Sequence, residues 1–335
     1  MHSSKSLPAP LTSAKSLDIL VFGSKKRKKE TNMEQKVSLS VFNLQYHYGW
    51  ERALEIAKEI GCDAVDFNLY DDEYDVRNPD SIYSKSDEEI IAYFEAVKAK
   101  ADELGIVIAQ THGRGSIFRY DDDFNKAVLE NARRDCLATK ILGAPVTVFH
   151  TVSNIATGPD ADKQWMRDKA FALFNSFLAF AKHYDVIIAT ETFGDAPDFG
   201  ICNQFGYADE FIASYERIAS HGDNAEHFKI CIDTGHSNKA FRFGNPSVEE
   251  VIRMCGGNIV CLHLHDNDTI KDQHKIPMTG TINWDAVFDA LDEVGYSGYY
   301  NMEVNLTNFG LSMMIESAAF AVKLMKDILR RRYSK

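Results

Sequence analysis

From Val37 onward the chain repeats one pattern: a run of five to eight residues rich in Val, Ile, Phe and Tyr, then 10 to 20 residues with apolar positions at helical spacing. The strand candidates are Val37–Gln45, Ala64–Tyr70, Val107–Thr111, Val146–His150, Val186–Glu191, Lys229–Asp233, Ile259–His265 and Tyr299–Val304. Helical patterns over Glu51–Ile60, Asp87–Leu104, Phe124–Leu142, Asp162–His183, Tyr207–Ser220, Val248–Met254, Trp284–Val294 and Ser312–Arg331 separate or follow them. Ser86 ahead of Asp87, Glu88 and Glu89 predicts a capping box, and Gly61, Gly105, Gly143 and Gly295 stand where helix ends favour a left-handed residue. Strict alternation repeated eight times predicts a single (β/α)8 TIM barrel over residues 36–335. An open doubly wound sheet would want a glycine-rich phosphate loop after an early strand; Gly113-Arg114-Gly115 comes closest and lacks the third glycine.

Composition keeps the chain among ordinary globular enzymes. At 335 residues, 45% hydrophobic and 26% charged, with a mean hydropathy of -0.27, it fits neither disordered nor fibrous classes, and no run of 18 apolar residues offers a membrane span. Charge changes the picture more. The net charge is -12, yet residues 1–32 hold seven basic and two acidic side chains, so the remainder carries -17. Residues 1–35 therefore read as a basic, disordered extension, and the acidic body argues against a nucleic-acid partner. Six cysteines (Cys62, Cys136, Cys202, Cys231, Cys255, Cys261) are scattered without a C-x-x-C pair, which reads as reduced, buried thiols of a cytoplasmic protein.

Parallel barrels place their chemistry at the C-terminal ends of the strands. Here the third strand ends at His112, the fourth at His150, the fifth at Glu191, the sixth at Asp233 and His236, the seventh at His263 and His265, and the eighth at Glu303. Six successive ends bearing metal-ligand residue types, in a chain with 11 histidines, are not a packing pattern. Two Glu, one Asp and one His converging on the axis suit a divalent ion such as Mn, Mg, Co or Zn. Such an ion acidifies the hydrogen beside a sugar carbonyl, and Glu191 and Glu303 are the candidate acid and base on either face of that carbon.

The runs Cys231-Ile-Asp-Thr-Gly-His236 and His263-Leu-His-Asp-Asn267, the pair Asp272 and His274 leading to Gly280-Thr-Ile-Asn-Trp284, and Glu303 resemble the xylose isomerase-like barrel superfamily. That group includes sugar isomerases and epimerases, inosose dehydratases and endonuclease IV repair enzymes. The resemblance extends from Val37 to the last helix, and it implies a metal site on Glu191, Asp233, His263 and Glu303. His263 stands three before Asp266 as the motif requires, with His265 the alternative on the same strand face. For a sugar epimerase, the resemblance also implies that the two glutamates are the acid and base and that His236 touches substrate.

For the endonuclease IV branch, it implies three zinc ions with further ligands at His112, His150, His236, Asp272 and His274. Sugar-acting members often keep such histidines as substrate contacts. The segments His150-Thr-Val and Glu191-Thr-Phe-Gly-Asp195 depart from the endonuclease pattern, Pro277-Met-Thr-Gly280 departs from the G-x-G form of both branches, and the acidic body favours a small sugar substrate. The reading is thus a metal-dependent sugar or sugar phosphate isomerase or epimerase. A metal-dependent phosphoesterase acting on abasic DNA and an inosose dehydratase-like lyase are the alternatives. The family often forms homo-oligomers, although no exposed stripe here singles out an interface.

Single residues add candidates. Arg114 and Arg119 follow strand three and are placed to bind an anionic group of a substrate or to brace the loop. Trp284 reads as packed against the barrel. Tyr46, His47, Tyr48 and Trp50, read as the end of strand one, and Phe193, Phe199 and Phe205 are candidate sugar-stacking walls. The acidic runs Asp71–Asp75 and Asp121–Asp123 lack the alternation and central Gly of a calcium loop and read as exposed turns.

Overall fold

The computed structural model describes residues 36–114, 119–151, 153–154, 162–192, 202–203 and 206–333; the basic extension and the trio Phe193, Phe199 and Phe205 lie outside them. Eight parallel strands form the sheet: β1 (Val37–Ser40), β2 (Ala64–Asn68), β3 (Val107–His112), β4 (Val146–Phe149), β5 (Ile187–Glu191), β6 (Phe228–Asp233), β7 (Ile259–His263) and β8 (Tyr300–Met302). Their spatial order is β8-β1-β2-β3-β4-β5-β6-β7, each strand beside its neighbour in sequence. Closure between β7 and β8 comes from the Leu264–Met302 bridge, with Leu264 N donating to Asn301 O at 2.9 Å and Glu303 N to Leu264 O at 3.2 Å. The molecule is a (β/α)8 barrel.

Helices follow where helical spacing predicts them, with ends set by local chemistry. Ser86 and Glu89 form the capping box at the start of α2 (Asp87–Leu104), and left-handed Gly105 and Gly143 end α2 and α3 (Asp122–Leu142). Asp121 caps α3 by accepting from Asp123 N and Phe124 N, which gives that acidic run a structural role. The start of the barrel differs from the sequence expectation. β1 stops at Ser40, and α1 (Phe42–Glu59) begins at once, broken at Gly49 by φ 76° and ψ 163°. Tyr46, His47 and Tyr48 are therefore helical, and Tyr46 is 70% exposed. The cause is polar: Gln45 is buried and exchanges side-chain hydrogen bonds with the backbone of Asn68, so the segment turns over the end of β2.

Strand alternation sorts the residues into two layers. One face of each strand packs with the helices into the large outer core, where Phe149 meets Phe177 and Phe228 meets Phe174. The other face points to the axis. Val146, Val148, Ala189, Cys231 and Cys261 form a separate buried cluster there. Two residues along from the last three stand Glu191, Asp233 and His263, so the alternation that fills the barrel with small side chains also aims these groups inward. Among the described residues, no helix is long and apolar enough to cross a membrane.

Candidate metal centre and active site

Asp233 and His263 are register partners on adjacent strands, and Glu303 is tied through its backbone N–H to Leu264, the residue after β7. With Glu191 from β5 they form one group whose ligand atoms all lie within 4.8 Å of one another. His263 Nδ1 is 3.4 Å from Glu191 Oε1 and 3.2 Å from Glu303 Oε2. His265, the alternative, touches the same Asp233, with Nε2 2.9 Å from its Oδ1, and groups with His236, Asp272 and His274, its ring stacked on His274 with centroids 3.8 Å apart.

Three further groups adjoin the first: Asp66, His112 and His263 lie below it, and two others flank it. On one side, His150 Nε2 lies 3.1 Å from Glu191 Oε2 and 3.0 Å from His112 Nε2. On the other side, Asp272 Oδ2 lies 3.2 Å from His236 Nε2 and 3.1 Å from His274 Nε2. Glu191 belongs to the central and the His112–His150 groups and touches the Asp272–His274 group, its Oε1 lying 3.0 Å from His236 Nδ1. His236 is held there by its own backbone, which donates to Asp233 Oδ1 at 2.6 Å in the first turn of the short helix Thr234–Phe241.

Charge accounts for the protonation states. Burial opposes ionisation of Glu191, but His150 and His263 beside it hold its carboxyl well below the usual carboxylate range. Burial is likewise outweighed at Glu303, by His263 and His112. In return, and again against burial, Asp272 pushes His274 up to about 9, and Asp233 and Asp272 raise His236. The imidazoles thus carry the positive charge that balances the carboxylates, a part a divalent cation can take over with release of protons.

The donor set fits such an ion on one further observation. Both carboxylate oxygens of Glu191, both ring nitrogens of His263, Nδ1 of His236 and His265, and one carboxylate oxygen each of Asp272 and Asp66 are fully buried yet lack an aligned hydrogen bond. Buried polar atoms are rarely left so, and oxygens and imidazole nitrogens converging at these distances match the needs of Mn, Mg, Co or Zn.

The remaining sequence candidates make structural contacts around the barrel. Arg114 lies 3.2 Å from Asp75 Oδ2, donates to the carbonyl of Asp71 and sits over the Tyr70 ring at 5.6 Å, so it ties down the loop after β2. Arg119 stacks on Phe124 at 4.3 Å. Trp284 is buried and donates through Nε1 to Asp266 Oδ2 at 2.8 Å. Asp266 also accepts from Ile282 N at 3.2 Å and thereby brackets the segment that delivers Asp272 and His274. Two residues escaped the sequence reading. Tyr70 is 40% exposed, with its ring about 6 Å from those of His112 and His150. Asp66 lies beneath His263. The signal for Asp66 was a lone acid inside the apolar strand Ala64–Asn68.

Fold and site together define a (β/α)8 barrel whose C-terminal mouth carries a donor set able to hold divalent metal. The chain belongs to the family of the xylose isomerase-like TIM barrel, whose model matches residues 54–325. A curated relative, "Uncharacterized protein y4fM" of Sinorhizobium fredii, is 30% identical over 83 residues, 25% of each chain. The match spans about a quarter of the length of the curated relatives. Among solved structures, the D-psicose 3-epimerase from Clostridium cellulolyticum H10 with D-tagatose superposes with a TM-score of 0.64 at 16% identity, covering 88% of this chain and 99% of the other. The IOLI protein with a binding zinc atom gives 0.63 at 17%, covering 90% and 98%. At these identities the likeness speaks for the fold.

Proposed function

We propose that the protein is a divalent-metal-dependent sugar isomerase or epimerase that moves a proton at the carbon beside a carbonyl. The observation that carries this reading is the pair Glu191 and Glu303, which approach the same His263 nitrogen from β5 and from beyond β8. An ion held by Glu191, Asp233, His263 and Glu303 would polarise the substrate's carbonyl and neighbouring hydroxyl, which lowers the cost of removing the adjacent proton. Glu191 and Glu303 then take and return that proton on opposite faces. Glu191, with a side chain 2% exposed, works in a dry environment with His236 at 3.0 Å to share its proton. Glu303 is 16% exposed and faces the mouth, with His112 Nδ1 at 3.3 Å. Tyr70 offers an aromatic face at the rim for the sugar's C–H groups. The sugar epimerase among the structural neighbours supports the same chemistry.

The test is deuterium uptake from heavy water, beside the carbonyl, across a panel of ketoses and ketose phosphates, read by proton NMR with the metal-loaded protein. Uptake that disappears in both Glu191→Gln and Glu303→Gln supports the mechanism; full exchange in both variants refutes it.

A second reading rests on the two flanking groups, one of which contains Glu191 while the other meets it through His236. Were each to hold its own ion, the centre would suit phosphoester hydrolysis, as in the endonuclease branch. The charge of -17 outside residues 1–32 weighs against a DNA substrate. Metal content per chain separates the two: about one ion favours sugar chemistry, and two to three tightly held zinc ions favour the phosphoesterase.

A further inference from the structure

Beneath the central donor group lies a second polar layer. Ser38, Asp66, Gln110 and Asn301, from β1, β2, β3 and β8, are buried at the barrel axis. Asp66 has no exposure at all. A carboxylate taken wholly out of water needs strong compensation. It receives it on one oxygen: Gln110 Nε2 donates to Asp66 Oδ2 at 3.1 Å and Asn301 Nδ2 donates at 3.3 Å, while His263 Nε2 faces the same oxygen at 3.3 Å without an aligned hydrogen bond and Oδ1 has no partner.

The last contact matters because the imidazole has two faces. Nδ1 looks up toward Glu191 and Glu303, and Nε2 looks down toward Asp66. A neutral ring carries one proton, and the nitrogen that lacks it is the one that can bind a cation. A buried anion below Nε2 holds the proton there and leaves the Nδ1 lone pair facing the site.

We propose that Asp66 is a positioning residue of the metal centre: it fixes the tautomer and direction of His263 and strengthens Nδ1 as a donor. The proposal rests on the metal reading above. It also gives the lone acid of β2 a role that packing does not supply, since any small polar group would satisfy Gln110 and Asn301.

Asp66→Asn keeps an oxygen for Gln110 and Asn301 and removes the charge that faces His263 Nε2. Zinc affinity by chelator competition is expected to fall about 10- to 100-fold, the usual effect of losing such a partner. The visible bands of the cobalt-loaded protein should shift, while the melting temperature of the metal-free chain stays put. Ser38→Ala, in the same layer and without a partner for its hydroxyl, should leave affinity unchanged. Unchanged affinity in Asp66→Asn, or an equal loss in Ser38→Ala, overturns the role of Asp66 alone. A wild-type chain that takes up neither zinc nor cobalt overturns the metal reading and the proposal together. Nitrogen-15 NMR of the zinc-loaded wild type decides without any variant: a proton on Nε2 of His263 and metal on Nδ1 are expected, and the reverse refutes the proposal.

Discussion

Replacing Gly280 by alanine tests how tightly the loop bearing Asp272 and His274 is held. A Cβ built there falls 2.2 Å from Asp266 Oδ1 and 2.3 Å from the backbone oxygen of Asn267. Ordinary contact begins at 3.4 Å, so the two walls must retreat by about 1.2 and 1.1 Å. Neither wall is free to do so. Asp266 Oδ1 accepts from Asn267 N at 2.9 Å and Ile282 N at 3.2 Å, and Asn267 O accepts from Thr281 N at 3.0 Å. Overpacking together with one weakened charge-assisted hydrogen bond costs about 3 kcal/mol. At ~2 °C per kcal/mol for a chain of this size, Tm falls by about 6 °C. Gly295→Ala is the control: its φ is 75° and nothing lies within 4 Å, so backbone strain of ~1 kcal/mol is the whole effect. Both variants are read by thermal unfolding with and without added zinc. The metal-induced rise in Tm should shrink only in Gly280→Ala, whose displaced loop carries Asp272 and His274. A Gly280→Ala protein as stable as Gly295→Ala, with an undiminished zinc response, would refute the reasoning.

Three further outcomes are expected. Glu191→Gln and Glu303→Gln should each lower turnover on the cognate sugar by ~10²- to 10⁴-fold with circular dichroism unchanged; turnover within a few-fold of wild type counts against the acid and base assignment. Binding of zinc to the metal-free protein should release protons, because His236 and His274 hold theirs above the usual imidazole range, in His274 up to about 9; calorimetric heats at pH 7 that do not vary with buffer ionisation enthalpy would contradict this. Burial pushes the Asp135 carboxyl up to about 7, beyond what the Arg114 N–H and Tyr83 hydroxyl can offset, so the folded chain keeps this proton to higher pH than the unfolded chain. Its contribution is fully present below pH ~4 and lost as pH rises to about 7, at up to ~1.4 kcal/mol per pH unit; urea unfolding should show wild type losing stability relative to Asp135→Asn across that window, and parallel curves would exclude it.

The barrel was legible because its signals are local. Capping at Ser86 and left-handed ends at Gly105 and Gly143 depend on a few neighbouring residues, and the structure keeps them. The strand-end acids and histidines were legible for the same reason, since alternation along one strand decides which side chains face the axis. What escaped depends on contacts between distant segments. Val41–Gln45 has a strand-like composition, yet Gln45 is drawn to Asn68 and the chain turns early. Asp66 looked like an interruption of an apolar strand until β3, β7 and β8 brought Gln110, His263 and Asn301 around it. Arg114 sat beside the site in sequence, but Asp75 and Tyr70 decide where its charge goes.

The four central donors come from separate strands in the second half of the chain, and Glu303 takes its place only through hydrogen bonds that join β7 to the β8 end. No single strand-helix unit owns the centre. Affinity for metal is therefore a property of the closed ring, and a chain still lacking its last strand holds only part of the donor set. Metal uptake during refolding would mark the moment the cylinder shuts. The ion, arriving last, would act as the clasp that discourages the ring from reopening.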